Sequence, residues 1–255
     1  MATPSRDRST RRQRKTPRPA TLALSQDHPD VLQGLRPFWP QRTKLLELIA
    51  LLDYAGVAVF AATGALAASR KQLDIVGFIF LAAITGIGGG TLRDVILNIP
   101  VFWIGNNIYV LICTIVAVFV FCTANRLESR WKWLLWLDAV GLAAFAVMGA
   151  AKGLAITGSP VVAIITGMLT ATFGGILRDI VAQEPSALLR PEIYVSAAGI
   201  GAGAYVLADM LLGSPGLSAI IAFSIAFAAR GGALWYGWTL TPYNSRPGRR
   251  PEDIP

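Results

Sequence analysis

The chain has 255 residues, 54% of them hydrophobic and 15% charged, with a mean hydropathy of +0.53 and a net charge of +8. About 20 apolar residues rising 1.5 Å each cross a hydrocarbon core of roughly 30 Å, so this composition describes a polytopic membrane protein and excludes a soluble domain. The charge excess does not describe a nucleic-acid binder: ten Lys or Arg precede Leu45, and most of the others flank apolar segments in short loops or in the C-terminal tail.

Residues 1–44 are rich in Arg, Ser, Thr and Pro and are expected to form a disordered basic tail. No apolar core follows the Arg cluster closely enough for a cleaved signal. His28, the only histidine, falls in this tail, so histidine general-base chemistry and zinc hydrolysis are not expected. Neither an enzyme activity nor a cofactor is expected.

Seven apolar segments follow, at about 45–68, 75–98, 107–124, 133–152, 160–182, 192–212 and 217–238, and each is predicted to be a spanning helix. The first carries LDYAGVAVFAATGA (52–65) and the second GIGGGTLRDV (86–95). The third holds Cys113 and Cys122, whose spacing puts them on different sides of a helix and excludes a disulfide between them. The fourth carries LDAVGLAAFAVMGA (137–150) and ends near Lys152, which reads as an interfacial residue with its amine reaching the headgroups. The fifth carries ATFGGILRDI (171–180). Trp131, Trp133, Trp136, Trp235 and Trp238 sit at segment ends, as an aromatic belt does. Residues 241–255 form a C-terminal tail.

The fourth and fifth segments repeat the first and second at an offset of 85 residues. Without a gap, Asp53 pairs with Asp138, Gly56 with Gly141, Phe60 with Phe145, Gly64 with Gly149, Gly89 and Gly90 with Gly174 and Gly175, Arg93 with Arg178, Asp94 with Asp179, Pro100 with Pro185 and Tyr109 with Tyr194. The expected organisation is a first three-helix repeat over 45–130, a second over 131–215 and a seventh helix over 216–240. An odd number of spans per repeat makes the second copy enter the bilayer from the opposite side. The fold class is therefore all-α integral membrane: two inverted three-helix repeats plus a seventh helix, an architecture that puts a pathway between its halves.

Arg70, Lys71, Arg126, Arg130, Lys132, Arg190, Arg246, Arg249 and Arg250 fall on one face, and little beyond Lys152 on the other. The positive-inside rule then puts the C-terminus in the cytoplasm and the N-terminus outside, against the vote of the Arg-rich tail.

Glycine weakens a helix by roughly 1 kcal/mol relative to Ala, so Gly88, Gly89, Gly90, Gly174 and Gly175 predict kinks or short unwound turns in the second and fifth segments. Freed backbone at that depth must pack in protein or line a watery path, where carbonyls suit a monovalent cation; close helix packing is the alternative use of such glycines. Ionisable groups inside spanning segments are costly and point to function. Asp53 with Arg93 and Asp138 with Arg178 are expected ion pairs, with Asp94 and Asp179 beside them, serving either to lock helices or to gate two mouths. GIGGGTLRD matches neither a P-loop nor a dinucleotide fingerprint.

Two three-helix repeats carrying GGGTLRDV and GGILRDI, each introduced by LDxxG and followed by a Pro, resemble the prokaryotic trimeric intracellular cation (TRIC) channels, also catalogued as the UPF0126 or glycine-transporter membrane family. The resemblance covers about residues 45–240. It implies a seven-helix protomer in the cell membrane, a homotrimer with one pore per protomer, and conduction of potassium and other monovalent cations. It also implies that Gly88, Gly89, Gly90, Gly174 and Gly175 shape the pore and that the N-terminus is external. Transport of a small amino acid, glycine above all, is the alternative function. The chain departs from the family's pattern at Phe173, where the first motif has Gly88, and in its long basic N-terminal tail.

Overall fold

Short capping signals between long apolar runs divide the chain into helices. The computed structural model describes the backbone of residues 39–52 and all of residues 53–126, 129–186 and 193–241. Helix α1 runs Trp39–Arg70, α2 Ile75–Ile96, α3 Phe102–Gly105, α4 Ile108–Thr123, α5 Arg130–Thr157, α6 Pro160–Val181, α7 Val195–Leu212 and α8 Pro215–Tyr236. Asp74 caps α2 by accepting from the Gly77 N–H at 2.7 Å. Ser159 and then Pro160 open α6, and Pro215 opens α8. Gly158, Gly213 and Gly237 end α5, α7 and α8 at φ values of 65, 58 and 68°, a left-handed cap that costs glycine nothing.

Among the described residues six helices are long and apolar enough to cross a membrane: α2, α4 with the 3-10 turn Ala124–Arg126, α5, α6, α7 and α8. Their ends fall within a few residues of the predicted segments. Helix α1 begins at Trp39, inside the predicted tail; the rest of that tail and nearly all of 241–255 lie outside the described residues. The short α3 was not expected. Large apolar side chains such as Phe80, Val95, Leu111, Phe119, Met210 and Leu211 face outward, as they do against lipid.

Helix α5 is the centre of the bundle: 67% of its span is buried, against 28–44% for the other five. It packs on α6, α7 and α8, while α2 packs on α4 and α6. Seven of the thirteen buried α5 residues are Ala or Gly, which lets neighbouring backbones approach.

The sequence repeat recurs as repeated contacts. The Phe145 ring fills the space beside Gly56, and the Phe60 ring fills the space beside Gly141, with the two rings 5.0 Å apart. Gly64 lies against the Leu81 carbonyl and Thr85, and Gly149 lies against the Thr166 carbonyl and Thr170. After α2 and α6 the chain turns alike, with Asn98 and Gln183 at φ 53 and 51° and N–H groups returning to the carbonyls of Asp94 and Asp179.

One expectation is corrected. Helices α2 and α6 run unbroken through Gly88–Gly90 and Gly174–Gly175, with no unwound turn. A Cβ on Gly89 would strike the Thr170 carbonyl, and one on Gly174 would strike the Thr85 carbonyl. The helices cross back to back, and the contact itself offsets the low helix propensity of glycine.

Candidate functional site

Buried ionised groups in a lipid-facing bundle persist only when paired and hydrogen-bonded. Two clusters of them lie near the C-terminal ends of α2 and α6, one in each repeat. Asp94 and Arg93 are 0% and 1% exposed. The Asp94 carboxylate accepts at Oδ1 from Arg93 Nε at 2.8 Å and from Lys152 Nζ at 2.9 Å, and at Oδ2 from the Phe102 N–H at 3.0 Å. Lys152 reaches in from α5 and its side chain stays 33% exposed. The Phe102 ring closes over Gly90, lies 5.8 Å from the Arg93 guanidinium and meets Tyr109 edge-on at 4.5 Å. Trp103 Nε1 donates to Thr91 at 3.0 Å and Asn106 to the Tyr54 hydroxyl at 2.7 Å, so α3 and its flanks are tied across this end of the bundle.

The expected Asp53–Arg93 pair is not formed. Asp53 Oδ2 instead accepts from the Tyr109 hydroxyl at 2.8 Å. The physical reason is reach: Arg93 turns back onto its chain neighbour Asp94, where a second cation already gathers, and a neutral phenol serves Asp53. A Tyr109→Phe variant is expected to lose about 1 kcal/mol of stability, the usual net worth of one hydrogen bond. Thermal unfolding in detergent measures it, and a variant indistinguishable from wild type removes that bond from the account.

The second cluster is wired differently. Arg178 Nη1 donates to Asp138 Oδ1 at 2.9 Å, while its Nε and Nη2 hold Asp179 Oδ1 at 3.0 and 2.9 Å. Arg230, wholly buried on α8, puts its guanidinium 5.1 Å from the Tyr194 ring and donates to the Ile193 carbonyl at 3.3 Å. The Tyr194 hydroxyl and Asp138 both crowd Gly175.

The crossing of α2 and α6 at Gly89 and Gly174 lies about one turn before Arg93 on α2 and one turn before Arg178 on α6. Gly88 sits elsewhere: it lines an outward apolar groove of about 480 Å³ with Ile84, Ile87, Phe173 and Leu177. Sequence reasoning missed Arg230, and it read Lys152 as reaching the headgroups, whereas its amine turns inward to Asp94. Arg230 stands in the middle of an apolar segment, and the rule that singled out Arg93 applies to it equally. Lys152 carried no such signal, because a lysine near a helix end is ordinary.

The family model described as "Glycine transporter" matches this chain twice, over residues 50–125 and 135–210, with starts 85 residues apart. A UPF0126 membrane protein of Vibrio cholerae is 37% identical over 193 residues, which are 74% of this chain and 80% of that protein. The UPF0126 inner membrane protein YadS of Escherichia coli is 37% identical over 156 residues, 60% of this chain and 75% of its own. Among solved structures, the TRIC trimeric intracellular cation channel orthologue from Rhodobacter sphaeroides is 49% identical and superposes with a TM-score of 0.73, over 75% of this chain and 99% of that one.

Proposed function

This chain belongs to the TRIC/UPF0126 family of membrane proteins, and from that premise we propose that it is a channel for monovalent cations, potassium first. The observation that carries the reading is the likeness to a cation channel orthologue over nearly the whole length of that chain, at 49% identity. The assembly is a homotrimer in the cell membrane, as the word trimeric says of that relative, with a path in each protomer. The protomer has seven spans, α1 joining the six, arranged as two inverted repeats plus α8, with the N-terminus outside.

The contact symmetry at Gly56/Phe145, Gly141/Phe60, Gly89/Thr170 and Gly174/Thr85 supports inverted halves, since exchanging both residues for their counterparts turns one contact of each pair into the other. The path runs from the mouth at Asp53, Arg93 and Asp94, past the α2–α6 crossing, to the mouth at Asp138, Arg178 and Asp179. Gly89 and Gly174 form the waist, where backbone rather than side chain faces backbone, Gly90 and Gly175 make room for Phe102 and Tyr194 at the two mouths, and Gly88 faces the outward groove. Because glycine favours a helix less than any residue but proline, α2 and α6 part or bend there at low cost when the path opens.

Purified protein in planar bilayers is expected to give unitary potassium currents. Saturable counterflow of labelled glycine in liposomes, with no cation current from the same preparation, overturns the channel in favour of alternating access.

A further inference from the structure

The two repeats carry the same ionisable pattern, yet their charges are distributed differently. In the second, one guanidinium spans Asp138 and Asp179, and all three side chains are nearly sealed, at 2, 7 and 4% exposure for Asp138, Asp179 and Arg178. In the first, Arg93 and Lys152 both converge on the same Asp94 oxygen. That trio carries a net positive charge. Asp53, half-buried, accepts from the Tyr109 hydroxyl, and the Tyr109 ring packs edge-on against Phe102, whose N–H is held by Asp94, so the Asp53 carboxylate stands beside the trio and supplies the compensating negative charge. With Lys152 one-third exposed, this cluster reaches water and the second does not.

We propose that Asp53 sets the charge selectivity of the first mouth, a role that rests on the channel reading above. A mouth holding Arg93, Lys152 and Asp94 alone repels cations and draws anions. Asp53 cancels the excess, so a potassium ion meets no net barrier on entering. Asp138, its counterpart, is bound by Arg178 and has no such freedom.

The test is the ratio of potassium to chloride permeability, read from reversal potentials in salt gradients. Asp53→Asn keeps an oxygen for the Tyr109 hydroxyl and is expected to lower the ratio about 25-fold, because one unit charge at about 4 Å in water shifts potassium and chloride by about fivefold each in opposite directions. Asp53→Glu is expected to keep the ratio. Lys152→Gln leaves the mouth negative and is expected to raise the ratio by a similar factor, which tests the charge balance even if Asp53→Asn does not fold. Each shift is largest at about 0.01 M salt, where screening extends about 30 Å, and fades near 1 M, where it extends about 3 Å. An unchanged ratio in a folded Asp53→Asn, an unchanged ratio in Lys152→Gln, or a change independent of salt overturns the assignment. Wild-type protein without cation current overturns the channel reading and this role with it, a result visible before any variant is made.

Discussion

Gly89→Leu is expected to destabilise the protein by about 3 kcal/mol or more, the upper range for forcing atoms into a packed interior. The new Cβ would meet the Thr170 carbonyl of the facing helix, and a backbone oxygen has no rotamer to turn away. Gly174→Leu meets the Thr85 carbonyl in the same way and is expected to match it. The loss is a large share of the roughly 5–15 kcal/mol that holds a typical domain together, so reduced yield and an early, broad thermal transition in detergent are the readouts. Gly203, where an added Cβ would meet nothing within 4 Å, is the contrast: Gly203→Ala is expected to be tolerated, with a gain of up to about 1 kcal/mol from helix propensity. A well-folded, fully conducting Gly89→Leu protein would show that the crossing is not a fixed contact.

Arg178→Ala is expected to cost about 3–5 kcal/mol, because it removes the guanidinium that Asp138 and Asp179 share inside the bundle. Adding Asp138→Ala should return part of that loss. The double-mutant cycle between Arg178 and Asp138 is expected to show coupling in the upper part of the usual 0.5–3 kcal/mol range for contacting residues. The same cycle between Arg93 and Asp53 should show clearly less, since those side chains bond other partners. Equal coupling in both cycles would contradict the asymmetry of the two clusters.

That asymmetry marks where reading the sequence stops. Asp53 and Asp138 stand in matching LDxxG stretches, and Arg93 and Arg178 in matching RD pairs, so identical pairs were the natural expectation. One formed and the other did not. In the first cluster, Lys152, a lysine on α5 with no counterpart in the pattern, shares Asp94 with Arg93, and Asp53 takes the Tyr109 hydroxyl. The unwound turns expected at the glycines failed for a related reason. Helix propensity is a property of one segment, while the crossing of α2 and α6 is a property of two, and removal of Cβ serves close approach as readily as it serves bending.

The sequence alone determined that the chain crosses a membrane, where the six long apolar helices lie to within a few residues, that its halves repeat at 85 residues, and that Asp53, Arg93, Asp94, Asp138, Arg178 and Asp179 lie in apolar segments. These follow from local chemistry: hydropathy over a bilayer-length window, caps at helix ends, and the cost of charge in an apolar run. Tertiary structure decided which carboxylate each cation reaches, that Lys152 and Arg230 join the two clusters from α5 and α8, that a four-residue helix ties across the first, and that the glycines bring backbones together. Long, flexible side chains choose partners by distance across helices, and sequence spacing carries no information about which third helix will stand within their reach.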